Sequence, residues 1–455
     1  MKWFWRILIF IGVVITLIFA AGAVFIFILG QRALKVARQG PAVLAAEQRI
    51  LHRDGAPTTP AELQPPLPPI SLNAAPDYEK LTALLKKKPV SPEDDAAISD
   101  LGQNGRSTPA EDSVVSQILK RRSDIMDLVD RAARKPKCVF VRDWAKGVDL
   151  MLPEYAPMRE AVRFLRARSY LMAKEGHYRA AIAIDELGFR VADHAGQDPI
   201  LIGYLVDIAC DAITLSGMEQ ILQMSGPNPA IADEVQTAIA NHRPTINLRR
   251  ALGGEVVLDT GTAHLTHHQG PTVMATQSGE APDPALLSRL GSATGYELID
   301  AMLAKTLHYQ RLLIETTSLP ESQQRAAYER VIAKATHSSD GNAYLFNPEN
   351  LFAAIMIPAL GQAADKEYYA HARERVIMAG AAVLAYRARH GSYPNRLDQA
   401  APNLPLDPFT QKPLLYRREP HGFVVYSAGP AGHFNGGEPG MKRSAKEAYF
   451  RYPAP

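Results

Sequence analysis

The sequence predicts a mainly α-helical protein in which a single N-terminal transmembrane helix carries a helical body and a small α+β C-terminal domain. Three observations predict it: an uncharged apolar N-terminal run, helical hydrophobic periodicity through the middle of the chain, and a helix followed by a β-hairpin pattern at its end. We expect an anchor over 1–31, a Pro-rich linker over 32–76, a helical body over 77–358 and an α+β module over 359–455.

The apolar run extends from Ile7 to Gly30 and contains no charged residue. Because about 20 apolar residues in a helix cross a hydrocarbon layer of about 30 Å, the run is long enough to span a lipid bilayer. Trp3 and Trp5 precede it, where interfacial tryptophans are common. A cleaved signal peptide is the alternative, but its apolar region is typically about 7–15 residues long, and this run is longer. We therefore expect an uncleaved anchor.

The basic residues that flank this run are nearly balanced, so the positive-inside rule alone does not orient it. A short N-terminal tail most simply stays inside while the long C-terminal portion is exported. We expect a single-pass protein of a bacterial inner membrane with a periplasmic body.

The charge of the chain argues against a nucleic-acid partner. The chain contains 50 Lys and Arg residues and 47 Asp and Glu residues, so its net charge is small. Its basic clusters are followed closely in sequence by acidic residues. A nucleic-acid surface would instead place basic residues on one face with aromatic residues between them. The two cysteines, Cys138 and Cys210, are expected to be buried free thiols, with a disulfide in an oxidising compartment as the alternative.

Proline is frequent from Pro41 to Pro76, which favours an extended backbone. We expect this stretch to be a spacer that holds the body away from the membrane. A Pro-rich ligand motif is the alternative.

Hydrophobic periodicity predicts the helices of the body. They are Tyr78–Lys87, Asp112–Ala133, Met158–Lys174, His177–Ala195, Asp198–Met224, Asp233–His242, Tyr296–Leu313, Glu321–Ala335 and a short helix over Asn347–Pro358 closed by its proline. Cys138–Val141 is a short β-prone run or an extended connector, and Pro271–Pro284 is a loop.

The junction between two of these helices, Ala173–Ala181, resembles the centre of a tetratricopeptide repeat. Gly176 would end the first helix, and Tyr178 with small residues would pack the second helix against it. One copy is present, so we expect a TPR-like hairpin rather than a solenoid. Such hairpins offer a concave surface for a peptide or protein partner.

The C-terminal module is predicted as a long helix over Lys366–His390, followed by a hairpin whose strands are Leu414–Arg417 and Phe423–Tyr426. This region resembles the globular part of the major pseudopilin of type II secretion systems. The residues that carry the resemblance are Ala385-Tyr386-Arg387, His390-Gly391-Ser392-Tyr393-Pro394, Leu406-Asp407-Pro408-Phe409 and Tyr426-Ser427-Ala428-Gly429-Pro430.

That resemblance implies an α+β fold and a link to secretion or to pseudopilus-like assembly. The pseudopilin's own hydrophobic assembly helix and peptidase site are absent before Lys366. The family's calcium loop corresponds to a stretch in which only Asn435 and Glu438 supply side-chain oxygens, whereas calcium takes about six to eight oxygen ligands.

A wider resemblance covers nearly the whole chain. It is to a group of bacterial proteins, without an established activity, that join an N-terminal anchor, a helical body and the same pseudopilin-like tail. The residues that carry it are Asn73-Ala74-Ala75-Pro76-Asp77-Tyr78, Arg142-Asp143-Trp144 and Leu201-Ile202-Gly203-Tyr204-Leu205-Val206.

One dense group of potential metal ligands is present: His264, His267 and His268. On a helix this spacing places all three on roughly one face, and the upstream Glu255 and Asp259 would complete a site. Gly261 and Gly270-Pro271 flank the cluster and favour a short helix or none, so we expect a solvated histidine loop, with a metal site as the alternative.

No nucleophile elbow, P-loop, dinucleotide fingerprint or Cys–His pattern occurs in the chain. We therefore expect a membrane-anchored, non-enzymatic interaction or scaffold protein of the bacterial cell envelope, with protein partners and no cofactor. The alternative is a periplasmic metal-dependent hydrolase centred on His264, His267 and His268.

Overall fold

The computed structural model describes residues 2–102, 107–242, 248–270, 292–337, 347–437 and 447–453, with side chains from residue 28 onward. Its α-helices are α1 (Lys2–Arg53), α2 (Pro60–Leu63), α3 (Ala75–Lys87), α4 (Pro92–Asp100), α5 (Pro109–Arg121), α6 (Ser123–Ala133), α7 (Tyr155–Lys174), α8 (Tyr178–Ala195), α9 (Leu201–Ser225), α10 (Pro229–Asn241), α11 (Leu248–Gln269), α12 (Ala293–Thr316), α13 (Glu321–His337) and α14 (Leu351–His390). The strands are β1 (Leu415–Glu419), β2 (Gly422–Tyr426) and β3 (Tyr449–Tyr452). The mainly α-helical class is confirmed.

Helix α1 is continuous from Lys2 to Arg53, so the extended linker predicted over 32–76 is wrong for residues 32–53. The predicted membrane span begins this helix, and its side chains up to residue 27 lie outside the described part of the chain. The helix continues past Pro41 because its second half packs along α12, and this tertiary contact outweighs the local cost of proline.

The side of α1 that faces α12 carries residues at alternating spacings of three and four, the pattern of a coiled-coil seam. They are Ala37, Gly40, Leu44, Glu47 and Leu51. The two helices approach closely at Gly40, where an added Cβ would clash with the carbonyl oxygen of Glu297.

The remainder of the predicted linker is attached to the body rather than free. Gln64 donates from Nε2 to the carbonyl oxygen of Phe140 over 3.2 Å, and its Oε1 accepts from the backbone of Arg142 and from Trp144 Nε1. The Asn73 side chain likewise bonds to both backbone groups of Val139. Residues 138–141 are accordingly an extended connector, one of the two predicted forms, and the spacer hypothesis is wrong here as well.

Helices α7 and α8 form the predicted hairpin, which turns at Gly176 with a left-handed φ of 84°. The predicted helix over Asp112–Ala133 is instead two helices, which meet at Arg122. Both cysteines are buried and unpaired, as expected for free thiols.

Helix α9 lies in the interior, packed against α7, α8, α10, α11 and α14. Within the part of the chain where side chains are described, it is the helix whose length and mean hydropathy of 1.5 are compatible with crossing a membrane. Its surroundings and its two aspartates, Asp207 and Asp211, make it a core helix of the body.

Helix α14 begins at Leu351 and runs without interruption through Pro358, so the predicted short helix closed by that proline is wrong. The predicted boundary between residues 358 and 359 therefore falls inside one helix. Its C-terminal half packs on a three-stranded antiparallel sheet of order β1-β2-β3, in which the β1–β2 hairpin was predicted and β3 was not.

A turn over residues 407–411 precedes β1 and begins at Asp407, whose carbonyl oxygen accepts the N–H of Gln411. The buried carboxylate of Asp407 accepts hydrogen bonds from the Ser427 hydroxyl and from the backbone N–H groups of Ala428 and Phe409, at 2.9–3.0 Å. This one side chain therefore fixes the turn against the end of β2.

Candidate functional site

A small cavity of about 50 Å³ lies between α9, the end of α10 and the middle of α14. Its walls are partly apolar, formed by Phe189, Ile208, Leu215, Ile239 and Ala370. Its polar lining consists of Tyr204, Asp207, Asp211, His242, Glu367, His371 and Glu374.

Helical spacing brings the polar groups together. Asp207 and Asp211 are four residues apart and lie on one face of α9, and Glu367, His371 and Glu374 share one face of α14 at intervals of four and three. His242 follows the last residue of α10 directly. Packing of the three helices turns these faces toward the same cavity.

Asp207 is the most enclosed carboxylate of the group. It is 2% exposed, and its Oδ1 has no hydrogen-bond partner. Burial, followed by the neighbouring charges of Asp211 and Asp193, holds the pKa of Asp207 well above its usual range. Its anionic form is therefore strongly disfavoured unless a positive group enters the cavity.

Asp211 is joined to His242, whose Nε2 lies 2.9 Å from Asp211 Oδ2. The His242 ring stacks on Phe189 with 4.3 Å between ring centroids, and its Nδ1 is 3.8 Å from Asp193 Oδ1. Burial lowers the pKa of His242, and burial together with the Asp193 charge raises that of Asp211. Both shifts disfavour the charged forms of this pair.

On the α14 side, burial raises the pKa of Glu367 and of Glu374. Burial alone would lower the pKa of His371, but a hydrogen bond to Glu321 and the charges of Glu367 and Glu374 raise it. Four carboxyl groups thus share the cavity with two imidazoles, an arrangement suited to binding protons or a cation.

The predicted histidine cluster is elsewhere, on α11, and the helix runs through all three residues to Gln269. Because this segment is helical, the three histidines lie on roughly one face and the expected solvated loop is wrong; their side chains are exposed. His267 Nε2 lies 3.0 Å from Asp300 Oδ1, and the other two rings contact each other edge to face at 4.4 Å.

The two upstream carboxylates have other partners. Glu255 Oε1 accepts the backbone N–H of Leu201 over 2.8 Å and so caps the start of α9, where a negative charge is favourable. Asp259 Oδ2 accepts from Gln310 Nε2 over 2.6 Å. Burial raises the pKa of Glu255 to about 7, with a further contribution from Asp259, and raises that of Asp259 to about 6.

Of the two calcium candidates, Asn435 belongs to the described residues and Glu438 lies outside them. The side-chain oxygen of Asn435 accepts a hydrogen bond from the N–H of Gly437, and the backbone carbonyl oxygen of Asn435 accepts one from Arg417 Nη1 over 2.9 Å. Across the described ranges, no group of three or more His, Cys, Asp or Glu residues is arranged to hold a metal ion.

Sequence reasoning overlooked the acidic cavity. Its signal was present: Asp207 and Asp211 interrupt the largely apolar first half of α9 at a spacing of four, and Glu367, His371 and Glu374 repeat at helical intervals. The pattern was obscured because the two sets are separated by about 150 residues of chain, a distance over which helical spacing carries no information.

Comparisons with protein-family models, with curated proteins and with solved structures found no match to this chain.

Proposed function

We propose that this protein is a membrane-anchored, non-enzymatic interaction protein of the bacterial cell envelope, with the Ile7–Gly30 run in the inner membrane and the body in the periplasm. The observation that carries the proposal is the continuity of α1 from the apolar run into the seam against α12. An anchor built in this way holds the body rigidly, as suits a platform that presents a surface to a partner.

A candidate partner surface lies on the adjoining segments 64–73 and 137–151. These segments are joined by the Gln64 hydrogen bonds and by backbone bonds between Lys137 and the 72–74 stretch. Their exposed apolar side chains, here called the apolar face, are Leu67, Ile70, Leu72, Val141 and Met151. Ile70 and Val141 are 77% and 76% exposed, and exposed apolar side chains on neighbouring segments favour protein interaction.

The anchor is tested by introducing two charges into the apolar run, as Val14→Arg with Leu17→Arg. Each arginine at a span centre costs about 2.5–3.5 kcal/mol of insertion free energy, so the full-length chain should move from the alkaline-extracted membrane pellet to the soluble fraction. Val43→Arg, at an exposed position of the same helix, is the matched control and should remain in the pellet. Retention of the double variant would contradict the proposed anchor.

The partner surface is tested in cells with a photo-crosslinking residue at Ile70, at Val141 or, as the control, at Val114, which is exposed on α5. We expect the same discrete adduct from the first two positions and none from the third. Equal yields at all three positions, or no adduct at any, would show that the apolar face does not bind a protein. A secretion or pseudopilus link predicts that the adduct contains a pseudopilin.

A further inference from the structure

The acidic cavity combines a buried carboxylate oxygen that has no partner with an excess of acidic groups around it. Asp207 Oδ1 is the unpartnered atom, on a side chain that is almost fully enclosed. An unpaired buried anion is strongly disfavoured, so the ionised cavity favours any positive group that reaches it.

We propose that this cavity binds one small organic ammonium ion, whose N–H groups donate to the carboxylates of Asp207 and Asp211. The site is independent of the proposed membrane function, since none of its residues belongs to α1 or to the apolar face.

The geometry favours an ammonium ion over a directly coordinated metal ion. A metal needs several donors converging at about 2.0–2.6 Å, and the described residues offer no such set. An ammonium donates over about 2.7–2.9 Å and tolerates carboxylates that are about one helical turn apart. Asp211 Oδ1 is, like Asp207 Oδ1, without a hydrogen-bond partner.

The remaining walls suit the carbon part of such a ligand. Phe189, Ile208 and Leu215 supply apolar surface beside the two aspartates. A volume of about 10–15 Å³ accommodates one water, so a cavity of this size accommodates a few non-hydrogen atoms and excludes a bulky amine. Glu374 and His371 on α14 are only partly buried and form the side through which a ligand would enter.

The test is calorimetric titration and thermal unfolding of the full-length chain in detergent, with methylammonium chloride as the probe. We expect one site per chain and a rise in Tm of at least about 2 °C at saturation. Potassium chloride at equal ionic strength should not reproduce the shift. Tetramethylammonium, which is bulkier and has no N–H group, should not reproduce it either.

Asp207→Asn should weaken methylammonium binding at least tenfold, and Asp211→Asn provides a second variant should the first fail to fold. Asp185→Asn is the matched control, because Asp185 is an equally buried carboxylate on α8 that does not line the cavity. Unchanged affinity in both cavity variants would overturn the proposal. So would the absence of methylammonium binding, or stoichiometric binding of Mn²⁺ or Zn²⁺ in its place.

Discussion

Two groups of buried charges differ in how their charges are matched: one lies where α7 and α9 begin, and the other is the acidic cavity between α9 and α14. In the first, Arg142 donates to Glu154 over 2.8 Å and to Asp198 over 2.9 Å, and the Tyr155 hydroxyl also donates to Asp198. In the second, the acidic cavity, Asp207 Oδ1 has no partner. Buried carboxylates therefore have complete hydrogen bonds in the Arg142 group and incomplete ones in the acidic cavity.

This difference in hydrogen bonding indicates different roles for the two groups. The Arg142 group joins the end of the 138–141 connector to the start of α7 and to the turn before α9, so its role is to fix these segments together. The acidic cavity gains no comparable connection from its unpartnered oxygens. Buried polar atoms without partners are uncommon in native proteins, and where they line a cavity they point to a ligand.

The largest expected effect comes from removing the central cation of the matched group. Arg142→Met leaves Glu154 and Asp198 buried without their partner, and breaking a buried pair in this way costs about 3–5 kcal/mol of unfolding free energy. Urea unfolding of the full-length chain in detergent measures it. Arg168→Met, at a partly exposed pair with Asp130, is the control and should cost less than about 1 kcal/mol. Equal losses of unfolding free energy in the two variants would show that the buried Arg142 group contributes no more to stability than an exposed ion pair.

A smaller effect on stability is expected at Glu255. Its carboxyl group accepts one backbone hydrogen bond, so it is intermediate between the fully bonded carboxylates of the Arg142 group and the unpartnered oxygen of Asp207. The folded pKa of Glu255 is about 7 and exceeds the unfolded value of 4.5, so its contribution to stability is complete below pH 4.5 and is lost as the pH rises through 7. Glu255→Gln keeps the oxygen that caps α9 and removes the charge. It should stabilise the protein by up to about 3 kcal/mol at pH 8 and leave it unchanged at pH 4.

Unfolding curves at both pH values measure this effect, with Glu175→Gln at an exposed position as the control. A difference between wild type and Glu255→Gln that does not vary with pH would show that Glu255 is not held in its protonated form.

The smallest effect contrasts the same substitution in the two groups. Asp207→Asn should raise the unfolding free energy by about 1–2 kcal/mol at pH 8, because it removes a disfavoured charge without removing a partner. Asp198→Asn should lower it, because Arg142 then lacks one of its two carboxylates. The sign of the change is the decisive result: destabilisation by both substitutions would mean that the cavity is a structural ion network like the other.

A structural feature is predictable from the sequence when the residues that stabilise it are close together in the chain. The α7–α8 hairpin, the α14 helix end at Gly391 and the β1–β2 hairpin follow from local patterns, and the structure has all three. The helical form of residues 32–53 was not predicted, because Pro41 and its neighbours are unfavourable locally and the stabilising contact is with α12, more than 250 residues later. The same limit applies to the acidic cavity, which joins α9 to α14.

The histidine cluster shows the converse limit. The spacing of His264, His267 and His268 places them on one face only if the segment is helical, and the flanking glycines pointed to a loop instead. Nor could the spacing show that Glu255 already caps α9 or that Asp259 is bonded to Gln310. Sequence proximity identified residues of suitable chemistry, and their actual partners came from other helices.

In the proposed membrane arrangement, the unbroken α1 also fixes the angle through which the body is rotated about the bilayer normal. Each residue adds about 100° of rotation and about 1.5 Å of rise along a helix. One alanine inserted after Gly30 would therefore turn a different side of the body toward any neighbour held in the same bilayer. Seven inserted residues, close to two full turns, would restore the original facing about 10 Å farther from the membrane.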